Sequence, residues 1–173
     1  MDKLIIKGGS KISGSVNVHG SKNSALPIIV SSLLSKKTLK LSNVPNVVDV
    51  LNLIKLLKNY GVKIEHKKNK LKINPSKIKN LSADYDVVRK MRASILILGP
   101  LLSRFGEARI SLPGGCAIGT RPIDIHLAGL SKLGANFEIQ NGFVVGSVKS
   151  QLIGNKIKLP FPSVGATENI LMA

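Results

Sequence analysis

Apolar and polar positions alternate over residues 3–7 (KLIIK) and 15–19 (SVNVH), the two-residue period of short strands. SKNSALPIIVSSLLS then changes to helical spacing, with Ser21 placed to cap the helix and Pro27 in its early part. TLKLSNV reads as a strand and turn. VVDVLNLIKLLKNYG is an amphipathic helix that closes on Gly61. VKIEHKKNKLKI is a hairpin with its polar turn near Lys68-Asn69. The pattern then starts again. YDVVRKMRASILILGPLLS is helical, EARISL is a strand, IDIHLAGLSKLG is a helix closing on Gly134, and NFEIQNGFVVGSV is a hairpin around Asn141-Gly142.

The two runs superpose as sequence. Leu33-Leu34-Ser35 recurs as Leu101-Leu102-Ser103, and Gly61-Val62-Lys63-Ile64-Glu65 corresponds to Gly134-Ala135-Asn136-Phe137-Glu138. The unit is helix, strand, helix, hairpin, present twice. The second correspondence has the longer offset, and the five-residue difference places an insertion in the second unit. It falls between the strand ending near Leu112 and the helix starting near Pro122. An insertion in a loop of a duplicated scaffold is where function is commonly grafted. KIKLPFPSVGATENILMA opens a third unit with a strand, a turn and the first two turns of a helix, keeping Ala25, Ala93 and Ala166 in register.

Composition narrows the class. With 173 residues, 43% of them hydrophobic, the chain is long enough for a real core, and no apolar run approaches a membrane span. The start has no signal-peptide pattern, and one cysteine makes no internal disulfide, so a cytoplasmic protein without membrane partners is expected. The net charge of +17 invites a nucleic-acid reading. Against it, 21 of the 26 cations are lysines spread along the chain, and six Phe/Tyr with no Trp give little to stack on bases. A solvated surface that attracts anionic substrates fits better.

Three sets of residues carry candidate chemistry. Lys22-Asn23, Arg92 and Ser163-Val164-Gly165 fall at the N-terminal turn of the same helix in successive units. Helix starts carry unpaired amides and partial positive charge, so they bind phosphates and carboxylates. Units packed about a pseudo-threefold axis would bring those starts to one mouth; the plainer alternative is that Lys22 and Arg92 are solvated surface cations. Cys116 lies in Pro113-Gly114-Gly115-Cys116-Ala117-Ile118-Gly119, the inserted stretch. A lone cysteine is most often an inert core residue. Here three glycines leave little to bury the thiol, and Arg121 is near enough in sequence to lower its pKa. His19, His66 and His126 are isolated, which argues against a metal site; no cofactor is implied.

SLPGGCAIGTRPIDIHLAGLSKLGA resembles the cysteine loop of the UDP-N-acetylglucosamine 1-carboxyvinyltransferase family, the enolpyruvyl transferases that open peptidoglycan synthesis. GSKNSALPII, YDVVRKMRASILILGPLLSRFG and SVGATENI resemble the same family in the same order, so the likeness runs over essentially the whole chain. The sister synthase acting on shikimate phosphate shares the fold but not this loop. The resemblance implies an α+β fold, an inverted α/β barrel of repeated units. It implies transfer of the enolpyruvyl group of phosphoenolpyruvate to the 3′-hydroxyl of UDP-N-acetylglucosamine. Cys116 would match the family's proton donor, and Lys22 and Asn23 its phosphoenolpyruvate contacts. Arg121, Pro122, Ile123, Asp124 and Ile125 would hold the nucleotide sugar, with Arg92 in the anion cluster and Ser163, Val164 and Gly165 on the diphosphate. Phe161 departs from a lysine that some members carry there.

Against that family, residues 1–20 read as strands of an otherwise missing domain. Residues 21–173 read as an incomplete repeat domain, with units near 21–87, 88–155 and 156–173. The family's general base would lie outside this N-terminal portion, so the isolated chain is expected to be inactive. A non-catalytic anion-binding remnant is the alternative. Uncovered apolar residues Ile170, Leu171 and Met172, and a first strand without a partner near Leu4–Ile6, lead us to expect self-association or a complementing C-terminal chain.

Overall fold

The computed structural model describes residues 3–79, 81, 92–112 and 123–173. Among them, helix α1 (Lys22–Ser31) runs through a 3-10 turn (Ser32–Leu34) to strand β1 (Leu39–Leu41), helix α2 (Val48–Asn59) and the hairpin β2 (Lys63–Lys67) and β3 (Lys70–Asn74). The second run is a 3-10 segment (Arg92–Ile97) continuing as α3 (Leu98–Phe105), then β4 (Glu107–Ser111), α4 (Asp124–Lys132), β5 (Ala135–Gln140) and β6 (Phe143–Val148). Helix α5 (Val164–Leu171) follows. The repeated unit recurs in the topology: the two three-stranded antiparallel sheets have orders β1-β3-β2 and β4-β6-β5.

The turns explain why the hairpins fall where they do. Asn141 and Gly142 both have positive φ (50° and 78°), the geometry a two-residue primed turn requires, and Lys68 has φ 52°. Gly61 and Gly134 take φ 91° and 103° just past α2 and α4, where a residue with a Cβ is strained. Helices α2, α3 and α4 lie against the sheets, while α1 and α5 pack on the other helical segments. Ile29, Leu33, Leu53, Leu57, Ile73, Ile97, Leu101 and Ile110 are fully buried in one core.

Polar contacts join the two units across that core. The Arg104 guanidinium on α3 donates to the carbonyls of Leu33 (2.9 Å), Ser35 (3.2 Å) and Pro75 (3.1 Å), all in the first unit. The Tyr60 hydroxyl, at the end of α2, donates to the Arg109 carbonyl on β4 at 3.4 Å.

Four expectations are corrected. Residues 3–7 and 15–19 form no strand here: they pair with nothing among the described residues, and Leu4, Ile5, Ile6, Val16 and Val18 are each more than 80% exposed. Alternation marks a segment that suits a sheet, but a strand forms only against a neighbour. Residues 156–159 likewise form no strand. Ser21 stands at the N-cap of α1 without a side-chain hydrogen bond. At the other end Met172 is buried and Ile170 half-buried, because α5 packs on α3, α4 and the 3-10 segment; of the three residues read as uncovered only Leu171 stays exposed. Among the described residues no helix is long and apolar enough to cross a membrane.

Candidate functional site

Lys22 and Asn23 are the first two residues of α1, and both are exposed. A cation at a helix start opposes the dipole. Here a carboxylate offsets it: Lys22 Nζ lies 2.8 Å from Asp49 Oδ2, and Asp49 sits in the first turn of α2, where its own charge is favourable. Both side chains are more than a third exposed, so the pair is worth at most about 1 kcal/mol and yields readily to a stronger anion. Pro27 also removes the N–H that would bond the Asn23 carbonyl. Arg92 is the first residue of the 3-10 segment, against which α1 packs.

The second group forms at α4 and α5, which pack side by side. Ile123 precedes α4, Asp124 Oδ1 accepts from the Ile125 N–H at 2.9 Å, and Ile125 is buried. Ser163 caps α5: its Oγ accepts from the Ala166 N–H at 3.3 Å, and its carbonyl accepts from Thr167 Oγ1 at 2.8 Å. Val164 is exposed. Two glycines allow the close approach. A Cβ on Gly165 would meet His126 Cε1 at 3.3 Å, and one on Gly129 would collide with the Ile170 side chain. The starts of α4 and α5, far apart in sequence, therefore lie together with Ile123–Ile125 and Ser163–Gly165 on them.

Beneath them is a feature the sequence reading missed. Asn169, on α5, is completely buried, and its amide reaches Gly99, Ile95 and His126. The signal was present: Ala166 and Asn169 on α5 and Met172 just past it are buried at helical spacing, so an amide sits on an apolar stripe. Cys116, Arg121 and Pro122 fall within 113–122, outside the described residues. The Arg92 side chain is likewise not described.

A cavity of about 120 Å³ is lined by Asp124 and Ile125 with Lys132 and Lys158. A larger one, about 430 Å³, lies between 152–159 and α5 and is mainly apolar, lined by Leu133, Leu152, Ile157, Leu159 and Ile170. It holds none of the candidate catalytic or substrate-binding residues, so its size is no guide to the chemistry. Phe161 is half-exposed two residues before the α5 cap. Burial pushes the Glu168 carboxyl above its ordinary range. Among the described residues no group of three His, Cys, Asp or Glu is arranged to hold a metal ion.

Over its whole length the chain is 53% identical to the UDP-N-acetylglucosamine 1-carboxyvinyltransferase of Campylobacter fetus subsp. fetus and covers 41% of that protein. It is 50% identical to UDP-N-acetylglucosamine 1-carboxyvinyltransferase 1 of Halalkalibacterium halodurans, of which it covers 40%. The chain thus spans about two fifths of the curated relatives it matches. In fold it is similar to the enolpyruvyl transferase NikO from Streptomyces tendae, with TM-score 0.71 and 21% identity over 84% of this chain and 32% of that one. The family model described as EPSP synthase (3-phosphoshikimate 1-carboxyvinyltransferase) matches residues 6–173, and the chain belongs to that family.

Proposed function

We propose that this chain is the part of a UDP-N-acetylglucosamine 1-carboxyvinyltransferase that carries the proton donor and much of the anion-binding face. The observation that carries the reading is identity of 50–53% across all 173 residues with relatives of that name. The pairing of the α4 and α5 starts supports it, because a nucleotide sugar has a diphosphate to place against helix amides.

In this reading phosphoenolpyruvate lies near Lys22, Asn23 and Arg92, and the nucleotide sugar near Arg121–Ile125 and Ser163–Gly165. The Cys116 thiol gives its proton to C3 of phosphoenolpyruvate. The sugar 3′-oxygen bonds to C2 as a base takes the hydroxyl proton. Phosphate then leaves C2 as a proton leaves C3, restoring the double bond in the enolpyruvyl ether. General acid help of this kind contributes roughly 10²–10⁴ in rate. The base belongs to the remainder of the enzyme. Residues 1–20, with Leu4, Ile5 and Ile6 exposed, pair with strands of that second domain, and residues 21–173 hold two whole units and the start of a third. The setting is the cytoplasm, where both substrates are made.

Phosphate release from phosphoenolpyruvate plus UDP-N-acetylglucosamine tests this. The 173-residue chain alone should release none above background. Put in place of the matching segment of the Campylobacter fetus relative, it should support release, and Cys116→Ser should abolish it. A folded chimera without activity would favour a non-catalytic anion-binding remnant. Activity that survives Cys116→Ser would remove the cysteine from the reaction.

A further inference from the structure

We infer that Asn169 is a positioning residue: it holds His126 as a neutral imidazole, bare at Nδ1 and protonated at Nε2, beneath the paired starts of α4 and α5. The orientation of the Asn169 amide is fixed by groups that cannot change role. The Gly99 N–H is only a donor and lies 2.8 Å from Oδ1, and the Ile95 carbonyl is only an acceptor and lies 3.0 Å from Nδ2. Turning the amide over would set two donors and two acceptors face to face. Nδ2 therefore has one hydrogen for Ile95, and its other is within reach of His126 Nδ1, 3.2 Å away. Nδ1 must accept that hydrogen bond, so the ring's single proton is on Nε2. Both residues are buried.

The result is a directed donor. The Cε1–Nε2 edge of the ring lies against Gly165, whose Cβ, if present, would be 3.3 Å and 3.6 Å from those atoms. The network spans four elements: Ile95 is on the 3-10 segment, Gly99 on α3, His126 on α4 and Asn169 on α5. Gly99 admits it, since a Cβ there would run into the Asn169 oxygens. The significance of the donor rests on the reading that these helix starts face the nucleotide sugar; the state of the ring does not.

The ring is read directly. Long-range ¹H–¹⁵N correlation near pH 8, on the whole chain with its three histidines labelled, reports which ring nitrogen carries the proton. His126 should show the Nε2–H form alone, while exposed His19 shows the mixture of a free side chain. Asn169→Asp keeps an acceptor for Gly99 but replaces the donor to Nδ1 with an acceptor, so the ring proton should move to Nδ1. A solution-like mixture or an Nδ1–H ring in the parent chain overturns the inference, as does an unchanged tautomer in folded Asn169→Asp. If that variant does not fold, the parent spectrum decides alone. Adding UDP-N-acetylglucosamine separates the two readings: an Nε2–H ring whose signals ignore the nucleotide sugar upholds the role of Asn169 and counts against the substrate assignment.

Discussion

The two sheets have one topology and two different solutions for their side chains. In the first, β2 and β3 set Ile64 directly opposite Ile73; at the equivalent place in the second, β5 and β6 set Phe137 opposite Gly146. One large ring over a glycine fills the volume of two branched residues. A Cβ on Gly146 would come within 2.8 Å of Phe137 Cε1 and 3.1 Å of a Leu102 methyl. The outer faces also differ. Lys40, Lys63, Lys67, Lys70 and Lys72 crowd the first sheet with Glu65, whereas the second carries Glu107, Arg109, Asn136 and Glu138. Pairing order and turns are kept while inner volumes are traded and outer charges drift, so neither face marks function. The units also differ in length. The chain is longer between Asn59 and Lys132, the last residues of α2 and α4, than between Leu39 and Glu107, the first residues of β1 and β4. The extra residues lie between the start of β4 and the end of α4, on the stretch that holds Cys116 and Arg121.

The sharpest way to break this comparison is to force one sheet's solution on the other. Gly146→Ile should cost about 1–3 kcal/mol through overpacking, read from urea melts. Adding Phe137→Ile rebuilds the Ile–Ile pair of the first sheet and should recover a large part of that loss. Costs that simply add would show that the two positions do not share one volume.

Next comes the link between the units. Burial pushes the Tyr60 hydroxyl well above its ordinary value of 10.0. The folded chain then keeps a proton that the unfolded chain loses, so stability falls as pH rises through 10.0 and stays intact below it. The slope due to this group approaches about 1.4 kcal/mol per pH unit above that point. Tyr60→Phe should flatten the alkaline limb of the stability curve, and an unchanged limb would mean that the hydroxyl ionises freely in the fold.

The outer face should respond least. Lys40 stands directly opposite Lys72, and like charges opposite each other destabilise a sheet. Lys40→Glu should stabilise by about 0.2–1 kcal/mol at low salt, with the gain shrinking as salt is added. The exposed Lys72–Glu65 pair, 3.0 Å apart, points the same way: the hydrogen bond from Lys72, then its charge, holds the Glu65 carboxyl below its ordinary range. Its contribution is present above the ordinary carboxylate range and fades as pH drops through the lowered value. A Lys40→Glu variant no more stable than the parent at low salt would show that the lysine face is already relaxed by solvent.

Much of this was legible because local rules and tertiary demands agreed. Gly61, Gly134 and Asn141-Gly142 stop helices and turn strands by backbone geometry alone, and the helical spacing around Leu53 and Leu57 matches the face that is buried. The repeat supplied the topology, since the same pattern twice needs the same sheet twice. What failed depended on partners. Leu4–Ile6 and 15–19 alternate like strands but meet no neighbour among the described residues. The pattern puts Lys22 at a helix start with no anion in view, yet Asp49, on the following helix, sits beside it. Asn169 is easily passed over because its worth lies in contacts with Gly99, Ile95 and His126, all remote in sequence. Cys116 and Arg121 belong to the segment that resembles the family's cysteine loop, and they lie outside the described residues.

The central claim is that the second unit and the start of the third, rather than the first unit or the lysine-rich sheet, form the nucleotide-sugar face. Titration of the ¹⁵N-labelled chain with UDP-N-acetylglucosamine tests it most directly. The account predicts saturable shifts in the amides of Ile123–Ile125 and Ser163–Gly165, while Val47–Asp49, at the equivalent helix start of the first unit, stays still. Shifts confined to Lys63–Lys72 that vanish with salt, or equal shifts at both helix starts, would contradict it.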